Sequence, residues 1–254
     1  MTQDGMQPHR HEGINWYTWN IFEPWKDRLS VVLTTRSEGV SPFPKNSLNL
    51  GRRIEDSEAN IRENRQRISS ALGLDGYSWI AANQVHGTGI RRATALMSES
   101  PGACDAIFLN STELIAAILL ADCLPLILYD PVRHEGMVCH AGWRGTISGM
   151  AQAAVGRMVD VGSRREDLIA AVGPGIGPCC YEVGEEVAEI FRKKFGADDG
   201  IITDRTDAGG AVIDLEAANL AVFRQSGIPS EHLGRGRVVD HPRAPALALP
   251  VVLQ

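Results

Sequence analysis

Hydrophobic and polar positions alternate in blocks whose period changes along the chain. Residues 29–35 (LSVVLTT) are rich in β-branched side chains and predict a strand. Turn formers then cluster through Ser41, Pro42, Pro44, Asn46, Ser47 and Asn49, so the segment up to Gly51 reads as an ordered loop or a short extended piece. From Asp56 to Leu72 the spacing predicts a helix, because Ile61, Ile68 and Leu72 share one face, Asp56 and Ser57 offer caps, and Gly73 ends it. The stretch 114–129 (LIAAILLADCLPLILY) is apolar on every side except at Asp122. It predicts two strands or one bulged strand buried on both faces, with Pro125 marking a break or an edge.

Two strand-to-helix units follow. Residues 136–140 (GMVCH) predict a strand that runs into AGWRGT, after which Ile147, Met150, Ala151, Ala154 and Met158 recur at helical spacing, so residues 136–159 read as strand, tight turn and helix. LIAAVG at 168–173 repeats the order, with the turn PGIGPCC and a helix whose Val187, Ile190, Phe191 and Lys194 share a face. A last helix is predicted from Asp214, as cap, to about Gln225, with Leu215, Ala218 and Val222 inward. Gly-rich turns between strand and helix are natural places to build a site.

The chain has 254 residues, which allows one or two domains at roughly 150 residues each. No repeat or linker-like tract divides it, so it reads as one domain with its body at 15–240. The ends, 1–14 and 242–254, are the segments expected to be poorly ordered or, at the Pro-rich tail, to lie on a neighbour. With 44% hydrophobic and 22% charged residues the composition is that of a globular protein. The net charge of −6 and the lack of a basic tract argue against a nucleic-acid partner. The longest apolar run, Leu114 to Ala121, stops at Asp122, well short of the roughly 18 residues of a membrane span. The N-terminal MTQDGMQPHRHEG has neither a basic region nor an apolar core, so the expected compartment is the cytoplasm, where the five cysteines stay reduced.

Those thiols are then available for burial, ligation or nucleophilic chemistry. There is no CxxC pair and no HExxH. What remains is a dispersed set: His86 in NQVHG, Cys123 in ADCLP and His140 in HAGWRG, each beside small or turn-forming residues. Two imidazoles and a thiolate with an open fourth position are how a catalytic zinc is held. Cys123 and His140 could instead form a nucleophilic pair, and a buried strand cysteine also serves simply as a small hydrophobe. Arg144, beside Gly145 and Thr146, offers a guanidinium for phosphate or carboxylate. GPGIGPCC is either a backbone anion cradle or a tight turn, and one of Cys179 and Cys180 is expected to face the site while the other packs. Asp105, Asp122 and Glu182 are the candidate general acids or bases, and Asn49 a candidate for orienting a ligand.

Taken in order, TTRSEGVSPFPKNSLNLG, DSEANIRENRQRI, NQVHG, CDAIF, ADCLPLIL, HAGWRGT and GPGIGPCCYEVG resemble the blocks of the multicopper polyphenol oxidase (laccase-domain) family, over about residues 30–225. The resemblance implies an α+β fold in which mixed sheets pack together between flanking helices. It implies a zinc-dependent enzyme that phosphorolyses adenosine, inosine, guanosine and methylthioadenosine to the free base and ribose 1-phosphate, and deaminates adenosine to inosine. The family's metal ligands fall on His86, Cys123 and His140. Cys123, Arg144 and Cys180 take catalytic positions, and Asn49, Arg144 and Gly175 line the substrate site. The implied partners are a purine nucleoside and phosphate, with no membrane, in a monomer or small homo-oligomer. Copper on the same ligands, with polyphenol oxidation, is the alternative. One departure stands out: the family usually ends with a Cys-Thr pair, a Phe-Phe-Ser-x-Arg-Arg-like block and Gly-Arg, whereas this chain reads SEHLGRGRVVDHPRAPALALPVVLQ. A third expectation follows, a metal-holding protein with impaired turnover.

Overall fold

The computed structural model describes residues 4–43, 47–51, 56–94, 102–196, 200–205, 210–236 and 247–253. Two six-stranded sheets form its centre. One runs in the order β1 (Met6–His11), β2 (Ile14–Trp19), β3 (Leu29–Thr34), β15 (Leu247–Leu253), β7 (Leu114–Leu120) and β4 (Ser78–Ala81). The other runs β14 (Leu233–Arg235), β10 (Ile169–Val172), β8 (Leu124–Asp130), β9 (Glu135–Ala141), β6 (Ala106–Leu109) and β5 (Ile90–Arg92). A small third sheet orders β11 (Glu182–Val183), β13 (Gly210–Ile213) and β12 (Ile202–Arg205). The helices are α1 (Glu58–Ala71), α2 (Trp143–Ser148), α3 (Met150–Asp160), α4 (Glu185–Phe195) and α5 (Leu215–Gln225).

Side-chain alternation along the strands builds four layers. In β7, Ala116 and Ile118 enter the interface between the two large sheets, where they meet Ile127, Tyr129 and Val138. Ile115 and Ala117 face the other way, onto Ile68, Ala71 and Leu74 at the α1 side. In β8 the odd–even split repeats: Leu126 and Leu128 pack under Met150, Ala154 and Phe223 of α3 and α5. Both strands are thus covered on two faces, which is why 114–120 and 124–129 are apolar throughout. The architecture is the expected α+β one, sheets between helices.

Local signals were read correctly where they were self-contained. Ser57 caps α1 by accepting from the Asn60 N–H, and Asp214 caps α5 by accepting from the Ala217 N–H. The apolar run forms two strands, one of the expected outcomes, and they lie in different sheets: β7 belongs to the first and β8 to the second, so residues 121–123 carry the chain across. Pro125 is accommodated near the start of β8, before pairing with β10 begins at Leu126. The helix predicted through residue 159 is broken at Gly149, whose left-handed φ of 88° closes α2 and starts α3.

Both end segments carry paired strands. Met6–His11 pairs along its whole length with Ile14–Trp19. Leu247–Leu253 lies between β3 and β7, in the middle of a sheet. Its ladder to β3 lapses at Leu249 and Pro250, as it must where proline has no N–H to give. Residues 1–3, 242–246 and 254 of those expected segments lie outside the described residues.

Candidate metal centre

Three segments deliver the three candidate ligands to one point. Cys123 comes from the sheet-to-sheet crossing between β7 and β8, His140 from the end of β9, and His86 from the loop after β4. Their ligating atoms all lie within 4.8 Å of one another, and the two imidazole rings meet edge to face with centroids 4.9 Å apart. Tetrahedral zinc with bonds of 2.0–2.3 Å needs roughly 3.5 Å between ligand atoms, and the exposed His86 has room to close that difference.

Asp105 organises this convergence. The carboxylate is fully buried, and its Oδ1 accepts from the His86 N–H at 2.9 Å and from His140 Nδ1 at 2.9 Å. Its Oδ2 accepts from the N–H groups of Val85 at 3.1 Å and Gly87 at 2.8 Å. Burial pushes the carboxyl pKa up, but the His140 hydrogen bond and the three backbone N–H groups outweigh it, and the net shift is downward. A carboxylate offers only acceptors, so His140 carries its proton on Nδ1 and presents Nε2 as the ligating nitrogen. The same carboxylate holds His86 at a left-handed φ of 61° by gathering three successive N–H groups. All four lone-pair positions of Asp105 are thereby used. That corrects the sequence reading of Asp105 as a general acid or base: it positions both histidines and has nothing left for substrate.

The donor chemistry fits a divalent ion. Burial pushes the Cys123 thiol up, with Asp122 and Asp105 adding to it. The same negative surroundings favour a bound cation, which deprotonates a coordinating thiol outright. The backbone is moulded to the centre as well: a Cβ on Gly142 would stand 2.7 Å from Cys123 Sγ and 3.5 Å from His86 Cδ2. Gly142→Ala is accordingly expected to weaken metal binding by roughly tenfold or more, measured by competition with a chromophoric chelator.

The remaining sequence candidates are placed as follows. Arg144 is exposed on the first turn of α2, its guanidinium 4.4 Å over the Trp143 ring. Gly175 packs against the crossing loop, where a Cβ would meet Leu124 Cδ2 at 2.4 Å, and the next N–H, of Ile176, donates to the Asp122 carbonyl at 2.8 Å. Asp122 is exposed beside Cys123, and Glu182 is exposed on β11. Cys179 and Cys180 are both exposed, so neither is the packed member that the sequence reading expected. Asn49 spends its amide on its own turn: Oδ1 accepts from the Gly51 N–H, and Nδ2 donates to the Gly51 carbonyl and to Asp56. Tyr181 was missed by the sequence reading. It is partly buried, and it feels both Cys123, which adds to the upward push of burial on its hydroxyl, and Arg144, which opposes it. Its one sequence signal is its position directly after Cys180 in GPCCYEV.

Two clefts lie elsewhere, about 330 Å³ beside α1 and about 600 Å³ between α3, α4 and α5, and neither is lined by a candidate ligand. Chemistry rather than cavity size therefore locates the centre. Among the described residues, it is the one group of three or more His, Cys, Asp or Glu side chains close enough to share an ion.

Fold and site together define a four-layered α+β protein with a candidate His₂Cys metal centre between its sheets. The chain belongs to the family described as multi-copper polyphenol oxidoreductase laccase, whose model matches residues 30–239. A purine nucleoside phosphorylase of Deinococcus radiodurans is 39% identical over 199 residues, covering 78% of this chain and 75% of that protein. A protein named adenosine deaminase RL5, from an unknown prokaryotic organism, is 31% identical over 213 residues, covering 81% of each. The crystal structure of YlmD from Geobacillus stearothermophilus superposes with a TM-score of 0.84 at 25% identity over 98% of both chains.

Proposed function

We propose that this chain is a zinc-dependent purine nucleoside phosphorylase that also deaminates adenosine. The observation that carries the reading is the convergence of His86, Cys123 and His140 under the Asp105 clamp, in a chain whose relatives are named for those two activities. Adenosine, inosine, guanosine and methylthioadenosine are the proposed nucleosides, with phosphate as co-substrate.

A divalent ion on the three ligands would supply Lewis-acid activation of water or substrate at the coordination position they leave open. The chain's own groups do the rest. Arg144, which lies over the Trp143 ring, would grip phosphate while it attacks the anomeric carbon, and charge on the departing purine would be relieved by protonation. Asp122 is the exposed carboxylate beside Cys123 and the candidate for moving that proton at its carboxylate oxygens. Tyr181 feels the charge of both Cys123 and Arg144, and would contribute to the same site. The loop carrying Gly175 and Cys180 is fastened to the crossing loop by the Ile176 hydrogen bond.

The test is direct. Zinc-loaded protein given adenosine and phosphate is expected to release adenine and inosine, resolved by chromatography. Cys123→Ala and His140→Ala are expected to lose zinc, by elemental analysis, and both products together. Zinc-loaded wild type that yields neither product overturns the reading, and retained metal without turnover favours the impaired-enzyme alternative raised by the divergent C-terminus. The family's description favours copper as a second reading, since a His₂Cys set also suits that metal. Multicopper chemistry needs more ligands than the single described cluster supplies, and a phenol oxidation assay of copper-loaded protein separates the two.

A further inference from the structure

We propose that Cys179 and Cys180 form a thiol–disulfide exchange site that takes a small-molecule disulfide and closes to a bond between the two adjacent sulphurs. Access singles this pair out. Cys104 and Cys139 are buried, and Cys123 is half-buried among the candidate ligands, whereas Cys179 and Cys180 are both exposed with their Sγ atoms 2.8 Å apart. That separation makes them hydrogen-bonded neighbours. Either sulphur can donate that hydrogen bond, which is the main reason that the Cys179 thiol is pushed up, and either can open the exchange.

The exchange balances without any group the protein lacks. One of the two cysteines, as thiolate, attacks one sulphur of the external disulfide, forming a mixed disulfide. The external S–S bond breaks, and the first thiolate leaves with its electron pair and takes up a proton. The other cysteine, deprotonated, then attacks the protein-side sulphur of the mixed disulfide and expels the second thiolate, which is protonated in turn. The two cysteines are oxidised by two electrons and the external disulfide is reduced to two thiols. A bond between adjacent residues closes a small ring, and exposed or strained disulfides of this kind are readily reduced again, so the modification is reversible.

The pair is fixed in a turn that leads to the metal centre. The N–H groups of Cys180 and Tyr181 both donate to the Gly177 carbonyl, at 3.0 and 3.1 Å. One residue earlier, Ile176 is bonded to the Asp122 carbonyl beside Cys123. Ring closure therefore reshapes a loop that lies directly against a ligand-bearing loop. The inference does not rest on the proposed function, because its readout is covalent mass rather than turnover.

The experiment incubates the zinc-loaded full-length chain with oxidised glutathione and follows intact mass, with peptide mapping under non-reducing conditions. Wild type is expected to lose two hydrogens, retain no glutathione, carry the new bond between residues 179 and 180, and regain its mass with dithiothreitol. Cys179→Ser is expected to stall with one glutathione on Cys180, since the resolving thiol is gone. A wild-type chain that keeps a glutathione adduct, places its disulfide elsewhere, or shows no mass change overturns the proposal.

Discussion

Removing residues 247–254 is expected to leave a chain that fails to fold, seen as loss of soluble protein and of the cooperative melting transition followed by circular dichroism. The reason is topological. β15 stands between β3 and β7, and without it the six-stranded sheet separates into β1-β2-β3 on one side and β7-β4 on the other. Six residue pairs join β15 to β7 alone. Backbone groups left without partners in a buried sheet cost about 1–3 kcal/mol each, against a total stability of about 5–15 kcal/mol. Only a few such orphans exhaust it. A truncated chain that melts like the full one would show that β3 and β7 find other partners.

That strand also shows why part of the fold was hidden in the sequence. LALPVVL is apolar enough for a strand covered on both faces, but its central proline and the Pro-rich residues before it read locally as disorder. Its place is dictated by β3 and β7, which lie more than a hundred residues upstream, and no local signal carries that information. The helices α1 and α5 were legible because cap and apolar face sit within one window. The break at Gly149 was not, since Ile147 and Met150 keep helical spacing across it. The crossing at Ala121–Cys123 was only half legible: Asp122 and Pro125 announced an interruption, while the change of sheet depends on what each half packs against.

The site divides in the same manner. Chemistry is readable from residue type, so His86, Cys123 and His140 stood out as a soft, open ligand set, and the structure brings them together. The role of a carboxylate depends on which donors surround it. Asp105, Asp122 and Glu182 are equivalent as letters; folded, one is buried with every acceptor position occupied and two are exposed. Gly142 and Tyr181 depend on close approach between segments, and that approach is a tertiary fact.

Asp105→Asn is expected to lower the unfolding free energy by about 2–4 kcal/mol and to weaken zinc binding about 10- to 100-fold. An amide keeps the volume of the carboxylate but supplies a single acceptor oxygen. Whichever way it sits, its NH₂ faces N–H donors that are now met by a carboxylate oxygen: the Val85 and Gly87 pair, or His86 together with His140 Nδ1. In the first case the His86 loop is released from its left-handed φ. In the second, His140 loses the acceptor that fixes its tautomer and aims Nε2. Both routes damage the metal centre, so the loss of affinity should accompany the loss of stability. Urea unfolding with and without zinc reads the two together: at saturating zinc the stabilisation by the ion should be about 1.4–2.7 kcal/mol smaller in the variant than in wild type, the equivalent of that affinity loss. Were Asp105 a proton shuttle for substrate, as residue type alone allowed, Asp105→Asn would keep its stability and its zinc and lose only turnover. The two roles thus predict opposite results in an experiment that needs no substrate.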